Sequence, residues 1–321
     1  MKKMIPFYTA ISLLLLGGCA SKNKYGAEQF LTEREQKSAL ANNKPPQYFG
    51  FAAYPAQGGI GFRGFARLHP NHQAHMDFEK DRPVIKIRGR YSRITGHALL
   101  DFSSPTSWMD YASAQNFGAI FMGMNEDLIP YQGLHSDEVN AYAAVVSQIR
   151  IDQLFMENVP LFVRMSIGGL GLHARKIFEP TIDAVFGYDI LGLYETIQVN
   201  LREGNIIFST SHPYTPNEDL LMSKARIRLV KGYGLCVEGA IYGQSTPIVL
   251  DLAGEYHFAR GDKKVNQTKQ VSIGDVVYRQ VPTEFMPDRE GLPRAGRKML
   301  ENYIITICPS QGFVYFERFP E

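Results

Sequence analysis

From Val84 onward the chain alternates short apolar runs with polar and turn residues, the pattern of β-strands rather than helices. "VIKIRGRY" (84–91) and "HALLDF" (97–102) read as a hairpin. "AAVVSQIRI" (143–151), "VPLFVRMSI" (159–167), "ETIQVNL" (195–201) and "NIIFSTS" (205–211) continue the series, and "KARIRLV" (224–230), "LCVEGAIYG" (235–243) and "TPIVLDL" (246–252) resume it. "YASAQNFGA" and "AVFGYDILGLY" predict short helices, and "SHPYTPNEDLLM" (211–222) a polar, proline-containing connector. Residues 47–83, rich in Gly and aromatics at first, predict edge strands or a loop. Residues 20–46 are polar, end in Pro45-Pro46 and predict a tether with a short helix inside "AEQFLTEREQKSAL".

The apolar pattern occurs twice. "VIKIRGRYSRITGHALLDFSS" (84–104) and "GLCVEGAIYGQSTPIVLDLAG" (234–254) each give a strand, a glycine-containing turn, an aliphatic strand, then Asp and small residues. "IDAVFGYDILGLYETIQVNLREGNIIFS" and "REGLPRAGRKMLENYIITICPSQGFVYFE" each give a Gly, a short helical stretch ending in Leu and then Tyr, an alternating strand, a turn and a final strand. The parts come in the same order in both halves, with a longer middle in the first. The expectation is an all-β, bilobal body whose two lobes, 84–212 and 223–319, are related by a pseudo-twofold axis. Such an axis brings equivalent residues face to face.

Composition agrees with this. Of 321 residues, 45% are hydrophobic and 21% charged, enough for one or two real cores, and the 29 Gly and 18 Pro suit a turn-rich β protein. A formal net charge of +2 without a Lys/Arg stripe does not suit a nucleic-acid partner. At the N-terminus, Lys2 and Lys3 precede an apolar run, Ile5–Leu16, too short for a typical membrane-spanning helix. The following Leu16-Gly17-Gly18-Cys19 resembles the lipobox of bacterial lipoproteins. That resemblance implies a signal peptide over 1–18, cleavage before Cys19, and lipid on its thiol and amine, with 19–46 as lipidated Cys and tether. Ala20 and Ser21 follow, where an Asp after the Cys would have suggested inner-membrane retention. The expected location is therefore the outer membrane, facing the periplasm, with the membrane itself a partner through Cys19. Export permits a Cys236–Cys308 bridge, and two buried free thiols fit equally.

The two strand-end acids, Asp101 in "DFSSPTSW" and Asp251 in "DLAGEYHF", carry the chemistry. With the aliphatic strand before each acid and the later Gly-helix segments, residues 84–319 resemble the pepsin and retropepsin superfamily of aspartic proteases. In that superfamily an aliphatic strand runs into Asp-Thr-Gly followed by Ser or Ala. The resemblance implies that Asp101 and Asp251 are the catalytic pair. Phe102, Ser103, Ser104 and Leu252, Ala253, Gly254 would be the supporting loops, with Ser104 beside Asp101 and Asp189 a structural cap. Two close carboxylates share one proton, so one takes a proton from water while the other donates to the peptide carbonyl. That mechanism needs no metal and no cofactor. The His69, His72 and His75 run reads as a solvated polar stretch rather than a metal site. "IGGLGLH" (167–173) lacks a nucleotide loop's strand-turn-helix setting. Trp108 is read as core, and Tyr91 and Tyr142 as packing or cleft residues.

The loops depart from the superfamily. Phe102 and Leu252 replace the Thr whose hydroxyl locks the two loops together, and Ser103 and Ala253 replace the Gly. Phe102 and Leu252 could form an apolar lock across the axis instead, but a catalytic pair tolerates little misplacement. Three readings fit. The cleft binds an extended peptide or partner protein without cutting it, as a pseudoprotease. Or the chain is a divergent aspartic endopeptidase using Asp101 and Asp251. Or the two acids are ordinary strand ends of an unrelated β protein, which makes the repeat a coincidence.

Overall fold

The strand that opens the first lobe shows how the pattern becomes structure. In Val84–Gly89, Val84, Ile85, Ile87 and Gly89 are buried while Lys86 and Arg88 face solvent, so one face of the strand enters the core. The computed structural model describes residues 29–56, 59–64, 66–70, 72–79, 82–91, 93–124, 127–128, 141–167, 182–287 and 291–320. Cys19 and the signal segment lie outside the described residues.

The main strands are β1 (Gln73–Asp77), β2 (Val84–Gly89), β3 (Thr95–Leu100), β4 (Trp108–Asp110), β5 (Ala141–Ile151), β6 (Leu154–Arg164), β7 (Ala184–Phe186), β8 (Thr196–Asn200) and β9 (Asn205–Ser209). They continue as β10 (Leu221–Arg228), β11 (Cys236–Ile241), β12 (Gln244–Asp251), β13 (Phe258–Arg260), β14 (Gln267–Ile273), β15 (Val276–Phe285), β16 (Arg294–Gly296), β17 (Ile304–Cys308) and β18 (Phe313–Glu317). Helices are short: α1 (Glu33–Leu40), α2 (Tyr111–Asn116), α3 (Tyr188–Leu191) and α4 (Arg297–Leu300). The protein is all-β with two lobes.

In the first lobe the pairing runs β6-β4-β7-β3-β2-β5 and back to β6, a closed six-stranded barrel. In the second it runs β15-β13-β16-β12-β11-β14 and back to β15. Each strand of the second barrel carries the number of its first-lobe counterpart plus nine. The parallel pairs match too: β6 with β4 and β7 with β3, then β15 with β13 and β16 with β12. Asn158 in β6 and Gln280 in β15 both take positive φ, 50° and 52°, at the same place in matching strands. Closure removes the free edges that an open sheet would expose.

Six further strands, β1-β9-β8-β17-β18-β10, continue the sheet of the second barrel through the β10–β11 pairing (Ile227 opposite Val237), and their order reads the same from either end once counterparts are exchanged. Its middle pair, β8 and β17, is antiparallel, as a twofold axis requires, with Gln198 opposite Thr306 and their side chains hydrogen-bonded at 3.2 Å. The 211–222 connector is tied to this sheet. Glu317 accepts from the Tyr214 hydroxyl and from Asn217 N (2.9 Å), and Gln311 donates to Tyr214 O (2.9 Å). A single apolar core runs through both lobes, from Ile85 and Leu100 to Leu250 and Phe316.

Within the stretch read as a tether, residues from Gln29 onward lie on the first lobe. Gln29–Phe30 pairs with Ser166–Ile167, and α1 starts at a capping box between Thr32 and Glu35. Phe51 is buried against Met122, Ala143 and Val145. Cys236 and Cys308 are both free and buried, and burial pushes each thiol up to about 11. Among the described residues no helix is long and apolar enough to cross a membrane.

Candidate functional site

Asp101 stands immediately after β3, and Asp251 is the last residue of its counterpart β12. Both strands are apolar because each has neighbours on two sides and core against it: Ala98, Leu99 and Leu100 in one, Ile248, Val249 and Leu250 in the other are all buried. The chain then turns in the same way in both lobes. Ser104 N donates to Asp101 O (3.1 Å), and Gly254 N donates to Asp251 O (3.0 Å). Ser104 O accepts from Tyr188 N, the first residue of α3, and Gly254 O accepts from Arg297 N, the first of α4, both at 2.8 Å. Each helix thus gives one of its unpaired N-terminal amides to an aspartate loop.

A glycine under each loop makes this fit. A Cβ on Gly187 would lie 2.5 Å from Thr106 O, and one on Gly296 would lie 2.3 Å from Tyr256 O. Both glycines are N-caps with extended backbone, so the requirement is close approach rather than unusual φ.

The side-chain chemistry differs. Asp101 is partly exposed, and its Oδ1 accepts from Ser103 N (3.0 Å), Ser103 Oγ (2.7 Å) and Ser104 N (3.2 Å). The hydroxyl of Ser104 donates instead to Thr106 O (2.8 Å). Below, Ser107 donates through N and Oγ to the Asp189 carboxylate (3.0 and 2.6 Å), while Ser107 Oγ accepts from Gly187 N (2.8 Å). Asp189 also accepts from Ile190 N, and burial pushes its carboxyl up to about 6 against these hydrogen bonds.

Asp251 is buried, 4% exposed, and its Oδ2 accepts from the Tyr256 hydroxyl at 2.5 Å. His257 and Lys298 stand where the first lobe has Ser107 and Asp189. The contact from His257 is through its backbone carbonyl, which accepts from Gly296 N (2.8 Å). Phe102 and Leu252 are 1% and 0% exposed and belong to the common core. Ala253 packs beside a small cluster of Val84, Leu99 and Ile182, together with Trp108 and Val185 of the first lobe.

The two strand ends are joined through one residue. Leu235 N donates to Phe102 O (2.6 Å), and Leu235 O accepts from Leu250 N (2.9 Å). The residue after Asp101 and the residue before Asp251 therefore hold opposite ends of Leu235. Gly234 N adds a bond to Ser103 O (3.1 Å), and a Cβ there would meet Phe102 O at 2.2 Å.

Other candidates lie elsewhere. Trp108 packs on Phe162 with ring centroids 5.9 Å apart, Tyr142 packs on the first-lobe core, and Tyr91 is exposed. His69 stacks on Phe155 (3.6 Å) and lies 3.7 Å from Glu157, while His75 sits on the outer strand β1. Among the described residues no group of three or more His, Cys, Asp or Glu converges as a metal site. Of "IGGLGLH", residues 168–173 lie outside the described residues. Leu235, Tyr256 and the Ser103 hydroxyl are the participants that sequence reasoning missed. Only Tyr256 left a trace, as an aromatic with a polar tip five residues past Asp251. No protein-family model and no curated protein matches the chain.

Proposed function

We propose that the cleft between the lobes binds an extended peptide or partner segment without cutting it, in a lipid-anchored relative of the aspartic proteases. The observation that carries this reading is the pair of matched loops, each with an aspartate at the end of the equivalent strand, held at opposite ends of Leu235. An extended chain laid there would pair with exposed main chain in the β manner. Two features favour binding over hydrolysis. The hydroxyl lock between loops has been replaced by the buried Phe102 and Leu252. A carboxylate that activates water needs an oxygen open to it, yet Asp251 is 4% exposed and its Oδ2 takes a phenol.

A second reading, an active endopeptidase, is favoured by the retention of hydrogen-bonded acids in both loops, with Ser103 on Asp101 and Tyr256 on Asp251. One acid would act as base toward water and the other as acid toward the peptide carbonyl. A peptide library incubated with wild type, Asp101→Asn and Asp251→Asn from acidic to neutral pH separates the two. Peptides retained intact by wild type support the pseudoprotease. Cleavage that both variants lose supports the enzyme, and neither retention nor cleavage sinks both. The membrane anchor rests on the lipobox resemblance around Cys19. Cys19→Ala should abolish acylation, seen as a lost mass increment and loss from the outer-membrane fraction.

A further inference from the structure

We infer that the ion pair between Arg82 and Glu255 is an interlobe latch for the Asp251 loop, standing where the chain lacks the backbone bonds that hold the Asp101 loop.

The two lobes supply an internal control. Leu235 O accepts from Leu250 N, and Pro83 O accepts from Leu100 N (2.7 Å), so Pro83 is the counterpart of Leu235 and Arg82 of Gly234. On one side the loop rests directly on main chain: Leu235 N bonds Phe102 O, and Gly234 N bonds Ser103 O. On the other side Pro83 has no N–H, so Leu252 O cannot receive the matching bond from it. The glycine whose bareness lets the first loop sit flush is replaced by arginine. Its guanidinium reaches Glu255, four residues past Asp251, with Nη2 2.5 Å from Oε1. The pair cannot form twice, because Pro105 stands at the counterpart of Glu255 and Gly234 at that of Arg82.

The two holds differ physically. Backbone bonds between closely packed segments respond little to ionic strength. The Arg82 and Glu255 side chains are 22% and 35% exposed, so salt reaches the pair. Where the lobes part, they part first on the Asp251 side. This follows from the fold alone and holds whether the cleft binds or cuts.

Hydrogen exchange on the full chain tests it, comparing wild type, Glu255→Gln, Arg82→Ala and the double variant Arg82→Glu/Glu255→Arg, at low salt and in molar sodium chloride. Exchange across 252–257 should quicken about twofold to fivefold in either single variant, and in wild type at high salt, with 102–107 unchanged. The charge-swapped double variant should recover most of the protection. Both loops quickening together, neither responding, or no recovery in the double variant would overturn the latch. The salt arm on wild type keeps the test decisive where a single variant folds poorly.

Discussion

The two lobes share a barrel and differ in what fills the turn beneath it. Strand order, the parallel pairs, the glycine under each loop and the helix amide that closes each turn all occur twice. The side chains that stabilise the two aspartates do not. The first loop leans on serines and on the carboxylate of Asp189, and leaves Asp101 partly exposed. The second buries Asp251 beneath a phenol. Between β4 and β5 the first lobe also carries residues 111–140, against only 261–266 between β13 and β14. The backbone turn is the part the two lobes share: strand end, glycine and helix amide set it in both. The hydrogen-bond donors around the carboxyl are interchangeable parts.

Cutting the apolar residues that follow the acids should have the largest effect. Phe102→Ala should lose about 3–5 kcal/mol and Leu252→Ala about 2–5 kcal/mol in urea unfolding, because both side chains are wholly buried. A loss below about 1 kcal/mol at either site would show that its loop does not depend on this packing.

Asp189 should give the first lobe a pH dependence of its own. Its folded carboxyl lies near 6, above the ordinary carboxylate value, so the folded state holds the proton more tightly than the unfolded chain. That contribution to stability is full below about pH 4 and is lost as pH rises through 6, and solvent at the exposed Asp189 side chain screens it to a small slope. Thermal unfolding from pH 4 to 7 should show this decline in wild type and a flatter profile in Asp189→Asn.

The donors to the two aspartates should rank by burial. Tyr256→Phe removes a bond to a buried carboxyl and should cost about 1.5–3 kcal/mol. Ser103→Ala removes one at a partly exposed carboxyl and should cost about 0.5–1.5 kcal/mol. Equal costs would remove the distinction between a closed and an open aspartate.

Much of the frame was readable because it is local. Alternation located the hairpin of β2 and β3 and the long strands β5 and β6, and duplicated order implied two lobes. The aspartates could be matched because each ends an aliphatic strand. What escaped depends on pairs far apart in the chain. Nothing near Ser107 announces Asp189, and nothing near Phe102 announces Leu235, since apolar periodicity records which face is buried and not what covers it. Ser104 was expected beside Asp101; its amide is there, but the hydroxyl serves Thr106 O and Ser103 supplies the hydroxyl to the carboxylate. Residues 29–46 look like tether because they are polar, yet the buried Leu31 and the pairing of Gln29–Phe30 with Ser166–Ile167 anchor them to the first lobe.

The proposed function requires Asp101 and Asp251 to face one another across a shared cleft. A double-mutant cycle with Asp101→Asn, Asp251→Asn and the double variant, read by urea unfolding at neutral pH, tests it most directly. Facing carboxyls should give an interaction term above about 0.5 kcal/mol, whereas simple additivity within about 0.3 kcal/mol would place them apart and contradict the account.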